Sequence, residues 1–192
     1  MPFLNSALRT ASLIMAFGFA AIPALASDNP AAHQHGHADL QIAIENERID
    51  LLLLSPAYNL TGFEHKPRTD EQRQSVQSLE SWAAETPLIN TRGGACSLTS
   101  SATHISWGTM DNDHGHDHGH KHHDKHAQRT AHADVEITQS LNCPGLSEGT
   151  RLETSLMPRF PDLEHLNVQW VGPQGQGATR LSPANTQFQL NR

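Results

Sequence analysis

Residues 111–126 read DNDHGHDHGHKHHDKH, and not one of them is an aliphatic or aromatic core residue. Seven of the sixteen are histidine: His114, His116, His118, His120, His122, His123 and His126. A core needs apolar side chains, and buried imidazoles or carboxylates need partners, so this stretch cannot be core. Whatever the chain folds into must be built on either side of it and must let it leave and return at the surface. Its flanks show how. ACSLTSSATHISW (95–107) precedes it and HADVEITQSLNCP (132–144) follows, and both alternate as strands do. Paired antiparallel, they form a ribbon with a flexible His/Asp-rich loop, 108–131, at its tip. If Cys96 faces Cys143, Trp107 faces His132 and His104 faces Val135, and a one-residue slip would exchange the faces.

The rest of the chain extends this β-rich pattern. In HADLQIAIENERIDLLLLSP, Leu40, Ile42 and Ile44 share one face of a strand, and Ile49, Leu51 and Leu53 one face of the next. Glu45 to Arg48 turn between them. Leu52 and Leu54 make the second strand apolar on both faces, which predicts a central position. TDEQRQSVQSLESWAAE predicts a helix, with Thr69 and Gln72 as a capping box and Val76, Leu79, Trp82 and Ala83 as the buried stripe. TRLETSLM, LNVQWVG, ATRLS and TQFQL supply three or four more strands, two of them joined by a glycine-rich turn at 172–177. The expected class is α+β and β-rich: antiparallel sheet or sheets with one main helix. His-Ala-Asp opens two strands, at His37 and His132, a weak hint of duplication.

The N-terminus reads as an export signal. Arg9 precedes an apolar run, ASLIMAFGFAAI, too short to span a membrane, and Ala24-Leu25-Ala26 fits a cleavage site. The expected division is a signal peptide, 1–26, and a single metal-binding domain, 27–192, exported and without membrane insertion after cleavage. Cleavage removes one cation and no acid, taking the net charge from −7 to −8. That acidity argues against nucleic acid as a partner. In an oxidising compartment, Cys96 and Cys143 read as a disulfide, with a thiolate metal pair as the alternative.

The histidines carry the chemistry. Neutral imidazole binds borderline divalent metals, and zinc takes about four ligands at ~2.0–2.1 Å. The loop offers many overlapping sets, with Gly115 and Gly119 to fold around an ion and aspartates to add oxygen ligands. Its other readings are a solvated low-complexity linker and a pH-responsive loop. Zn2+ is the first choice, since the chain lacks methionine-rich runs suited to Cu(I) and a third-position histidine after Ala26. Ni2+ or Cu2+ come next, in a tolerance protein or metal sensor. His33, His35 and His37 form a second cluster, which could act alone or with the loop. His65, beside Glu64, is either a ligand or a loop hydrogen-bonder, and His132 could complete a site. His104 and His165 sit singly in strands and read as structural or exposed. No HExxH, GxSxG or phosphate loop is present, so an enzyme is not expected.

Several longer segments are specific enough to suggest a family: SPAYNLTGFEH, RFPDLE and GPQGQGA…LSPAN, with the His/Asp-rich insert between GACSLT and HADVEITQSLNCP. Together the chain resembles the ZrgA-like family of periplasmic zinc-binding proteins over nearly all of its length after the signal. The resemblance implies a soluble Gram-negative periplasmic protein that assists zinc acquisition beside an ABC zinc importer, whose substrate-binding protein is the implied partner. It makes His65, His33 to His37 and the insert histidines up to His132 candidate ligands.

Overall fold

The computed structural model describes residues 34–108, 132–173 and 175–190. The signal segment, His33 and the seven histidines from His114 to His126 lie outside the described residues.

Alternation in the sequence becomes a hairpin of β1 (His37–Glu45) and β2 (Arg48–Pro56). Its tight turn puts Asn46 at φ 55°, a left-handed conformation that asparagine tolerates. Leu40, Ile42, Ile49, Leu51 and Leu53 are buried on one face. β2 pairs with β1 on one side and with β5 (Asp134–Asn142) on the other, the central position its leucines predict. With β4 (Ser97–Ser106), β7 (His165–Gly172) and β8 (Gly175–Leu181), they form a six-stranded sheet ordered β4-β5-β2-β1-β7-β8. The β1–β7 pair is parallel and the other four pairs are antiparallel. The sheet is therefore mixed at that one junction.

The cysteines pair as expected, Cys96 with Cys143. The ribbon they staple keeps the expected register only at Ser97↔Asn142 and Leu98↔Leu141. A bulge then intervenes: Ser100 pairs with Ser140, so His104 faces Glu136, not Val135. The extra residue, Thr99, spends its hydroxyl on the Ser140 carbonyl at 2.8 Å, an accommodation open to an edge strand. Pairing ends at Ser106↔Asp134, leaving Trp107 and His132 beyond the ladder.

Helix α2 (Asp70–Glu85) begins with the predicted capping box, Thr69 and Gln72 exchanging bonds with each other's backbone. Leu79 and Ala83 are buried in its stripe, while Val76 and Trp82 are half-buried, Trp82 meeting Phe160 edge-on at 5.0 Å. The helix lies on the sheet's apolar face, where Ser101 donates to the Ala83 carbonyl. A small sheet completes that layer: β3 (Ile89–Thr91), β6 (Arg151–Thr154) and β9 (Gln187–Gln189), in the order β3-β6-β9. Buried Gln139 ties the layers, accepting from Leu88 N–H and donating to the carbonyls of Ala83 and Thr86. Two short helices remain among the described residues, α1 (Ala57–Thr61), which follows β2 directly, and α3 (Leu156–Arg159).

Candidate metal centre

β1 and β5 flank β2, and both run antiparallel to it, so they start at the same end of the sheet. Leu54 pairs with Asp39 on one side and with Glu136 on the other. That register puts His37 level with Asp134, and His35 and His132 two residues before each. Two strand spacings separate them, roughly 9.5 Å. Glu64 closes the gap: its Oε1 lies 2.9 Å from His35 Nε2 and its Oε2 3.0 Å from His132 Nδ1. An ionised carboxylate only accepts, so each imidazole donates an N–H to it. Glu64 is well shielded, its side chain 19% exposed, against 54% for His35 and 41% for His132.

The backbone around these groups is held from below. Asn59 is buried, accepts from Gly36 N–H at 2.7 Å, and donates to the His37 carbonyl at 2.7 Å and to the Ser55 hydroxyl at 3.1 Å. Gly36 sits at φ 80°, in a turn where glycine is unstrained. Gly62, at φ 84°, ends α1 and turns the chain toward Glu64. Phe63 stacks parallel on Trp107, with centroids 5.9 Å apart. The His35 ring stacks on Tyr58 at 4.5 Å. The last described residues before the histidine-rich segment and the first after it therefore meet the leader and Glu64 at one end of the sheet.

The predicted ligands separate into groups. His35 and His132 converge on Glu64. His65 turns elsewhere, its Nδ1–H donating to the Lys66 carbonyl at 2.9 Å, its ring 5.4 Å from Phe63. His37 lies against His165, ring centroids 4.8 Å apart. His165 is the single histidine of β7, as read from the sequence, and the parallel β1–β7 register is what gives it His37 as a cross-strand neighbour. His104 is exposed on β4. Cys96 and Cys143 are spent in the disulfide, which rules out the thiolate pair. Sequence reasoning missed Glu64 as a site residue. Its one signal was adjacency to His65, and its role follows from a sheet order that spacing does not reveal.

Among the described residues, no three His, Cys, Asp or Glu side chains are gathered as a metal cage. His35–Glu64–His132 is a hydrogen-bonded chain with a carboxylate at its centre. A cation would have to replace the protons on the imidazole nitrogens that now face Glu64, so binding would release protons. Among the described residues, no histidine lines the groove of about 790 Å³ on the sheet, which is bounded by Gln41, Leu52 and Gln169 among others. No described helix is long and apolar enough to cross a membrane.

No curated protein matches the chain significantly. A model of one family, described as ZrgA family zinc uptake protein, matches residues 32–190, from the leader before β1 to the end of the small sheet. The chain belongs to the ZrgA family of zinc uptake proteins.

Proposed function

We propose that the protein is a periplasmic zinc binder that captures or buffers zinc and assists its acquisition, beside the substrate-binding protein of an ABC zinc importer. The observation that carries this reading is the convergence of His35, Glu64 and His132 where the chain enters and leaves its histidine-rich segment. In this reading, Glu64, His35 and His132 form the fixed part of a zinc seat. The remaining ligands come from the candidate set His33, His65 and His114 to His126. The carboxylate supplies charge and an oxygen ligand, the imidazoles supply borderline nitrogen, and zinc accepts both. Family membership supports the metal, and zinc here is cargo.

Calorimetric zinc titration of the full chain and of Glu64→Gln tests this. Glu64→Gln keeps the shape but removes the charge and replaces one of the two acceptor oxygens by an NH2 donor. The expected result is a loss of roughly 10- to 100-fold in affinity for the tightest ion, the range found when a partner of a ligating group is removed. Lys66→Gln, next to the site but outside it, is expected to change nothing. Unchanged zinc affinity in Glu64→Gln would remove the fixed seat from the proposal, and no zinc binding by the unaltered chain would end it.

A further inference from the structure

The His37–His165 pair belongs to neither the Glu64 chain nor the apolar core. Its backbone is fixed on both sides: the Gly36 carbonyl accepts from Glu164 N–H at 2.9 Å and from His165 N–H at 2.7 Å, while His37 is held through Asn59 and through its N–H to the Gln34 carbonyl at 3.0 Å. His165 Nδ1 is buried and has no hydrogen-bond partner among the described residues. A buried polar nitrogen left unpaired is costly, so its retention calls for a cause. Two imidazoles bound to one tetrahedral zinc at ~2.0–2.1 Å would hold their ring centres roughly 5 Å apart. The observed separation is 4.8 Å, with the ring planes 50° apart.

We infer that His37 and His165 form a second seat for a borderline divalent cation, zinc in the first instance, separate from the one centred on Glu64. This rests on the reading that the protein binds zinc. The two seats adjoin across Gly36: the His35 ring packs on Tyr58 and bonds Glu64, whereas the His37 ring packs on His165. Asp39, the next residue on the same face of β1, already accepts from Asn167 Nδ2 at 2.9 Å, so it is not counted as a ligand. Two protein nitrogens leave coordination positions for water or for an incoming ligand. Such a seat holds its ion in exchangeable form, which suits the receipt or release of cargo.

The test is a zinc titration of the full chain followed through imidazole 15N resonances, with those of His37 and His165 assigned from the His37→Asn and His165→Gln variants. The amide spectrum checks that each variant folds. The expected result is that His37 and His165 resonances move together with one zinc dependence. The His165 movement should be lost in His37→Asn and kept in Glu64→Gln. Unmoved His165 resonances in the unaltered chain at saturating zinc, or a His165 response that persists in His37→Asn, would overturn the second seat. If the His35 and His132 resonances respond while His165 does not, the second seat alone fails. If no histidine responds, the zinc reading fails with it.

Discussion

At the scale of single residues, Asn59 matters as much as any ligand. One side chain satisfies Gly36 N–H, the His37 carbonyl and the Ser55 hydroxyl. Asn59→Ala leaves buried backbone groups unpaired, and the expected cost is about 3 kcal/mol in urea unfolding. Because Asn59 fixes the turn between His35 and His37, zinc affinity should fall with it, which a merely peripheral residue would not cause. Asp50, on the opposite face from the core, tests a different physics. The Arg48 guanidinium, then the Ser140 hydroxyl, hold its carboxyl below the usual range, partly opposed by desolvation. A carboxyl with a folded pKa below its unfolded value stabilises the fold above the unfolded value, and that stability is lost as pH falls through the folded one. The pair is exposed and screened, so Asp50→Asn should cost only about 0.5 kcal/mol at pH 7, measured by urea midpoint. The difference from the unaltered chain should disappear at the acid end of the titration. Histidine composition made His35 and His132 legible as candidates, because imidazole clusters have few other uses. Glu64 was not legible, since a glutamate beside a histidine is ordinary until two flanking strands aim at it.

At the scale of elements, local signals were the readable ones. The β1–β2 hairpin, the capping box of α2 and the central position of β2 all follow from side-chain alternation or from contacts within a few residues. The bulge at Thr99 and the parallel pairing of β1 with β7 were not readable. One depends on a single extra residue in a strand that looks regular, the other on a partner more than a hundred positions away. β3, three residues long, is too short to carry a period, whereas the equally short β9 falls inside TQFQL, where the alternation shows it. The β4–β5 ribbon also yields a prediction. Its disulfide links residues 47 positions apart, and in the chain-entropy model such a crosslink stabilises by about 4 kcal/mol. Replacing both cysteines by alanine should therefore lower stability by up to that amount. The loss should appear as a lower urea midpoint, and dithiothreitol should produce the same shift in the unaltered chain. Equal midpoints with and without the bond would mean that strand pairing alone anchors the ends of the histidine-rich segment.

At the scale of the whole molecule, the sheet and the histidine-rich segment divide the work. A stretch without an aliphatic or aromatic core residue cannot contribute to the apolar core, and the buried set from Ala38 to Leu190 is built from the other parts of the chain. What the fold supplies to the segment is position: both ends are brought to the strand ends that carry His35, His37 and Glu64. Zinc binding should then be linked to protons and to stability together. A coordinating imidazole must be neutral, so each one bound costs up to about tenfold in affinity per pH unit once the solution is acid enough to protonate free imidazole. The slope of log Kd against pH therefore counts the histidines that hold the tightest ion. Two are expected from His35 and His132 alone, and the segment's histidines should raise the number. Zinc that binds the folded chain in preference to the unfolded one should raise the thermal midpoint at pH 7.5, and a chelator should reverse the rise. The same addition at pH 5 should leave the midpoint almost unmoved. A zinc-induced rise of equal size at both values would mean that carboxylates, not imidazoles, hold the metal, and the histidine-rich segment would then need a different explanation.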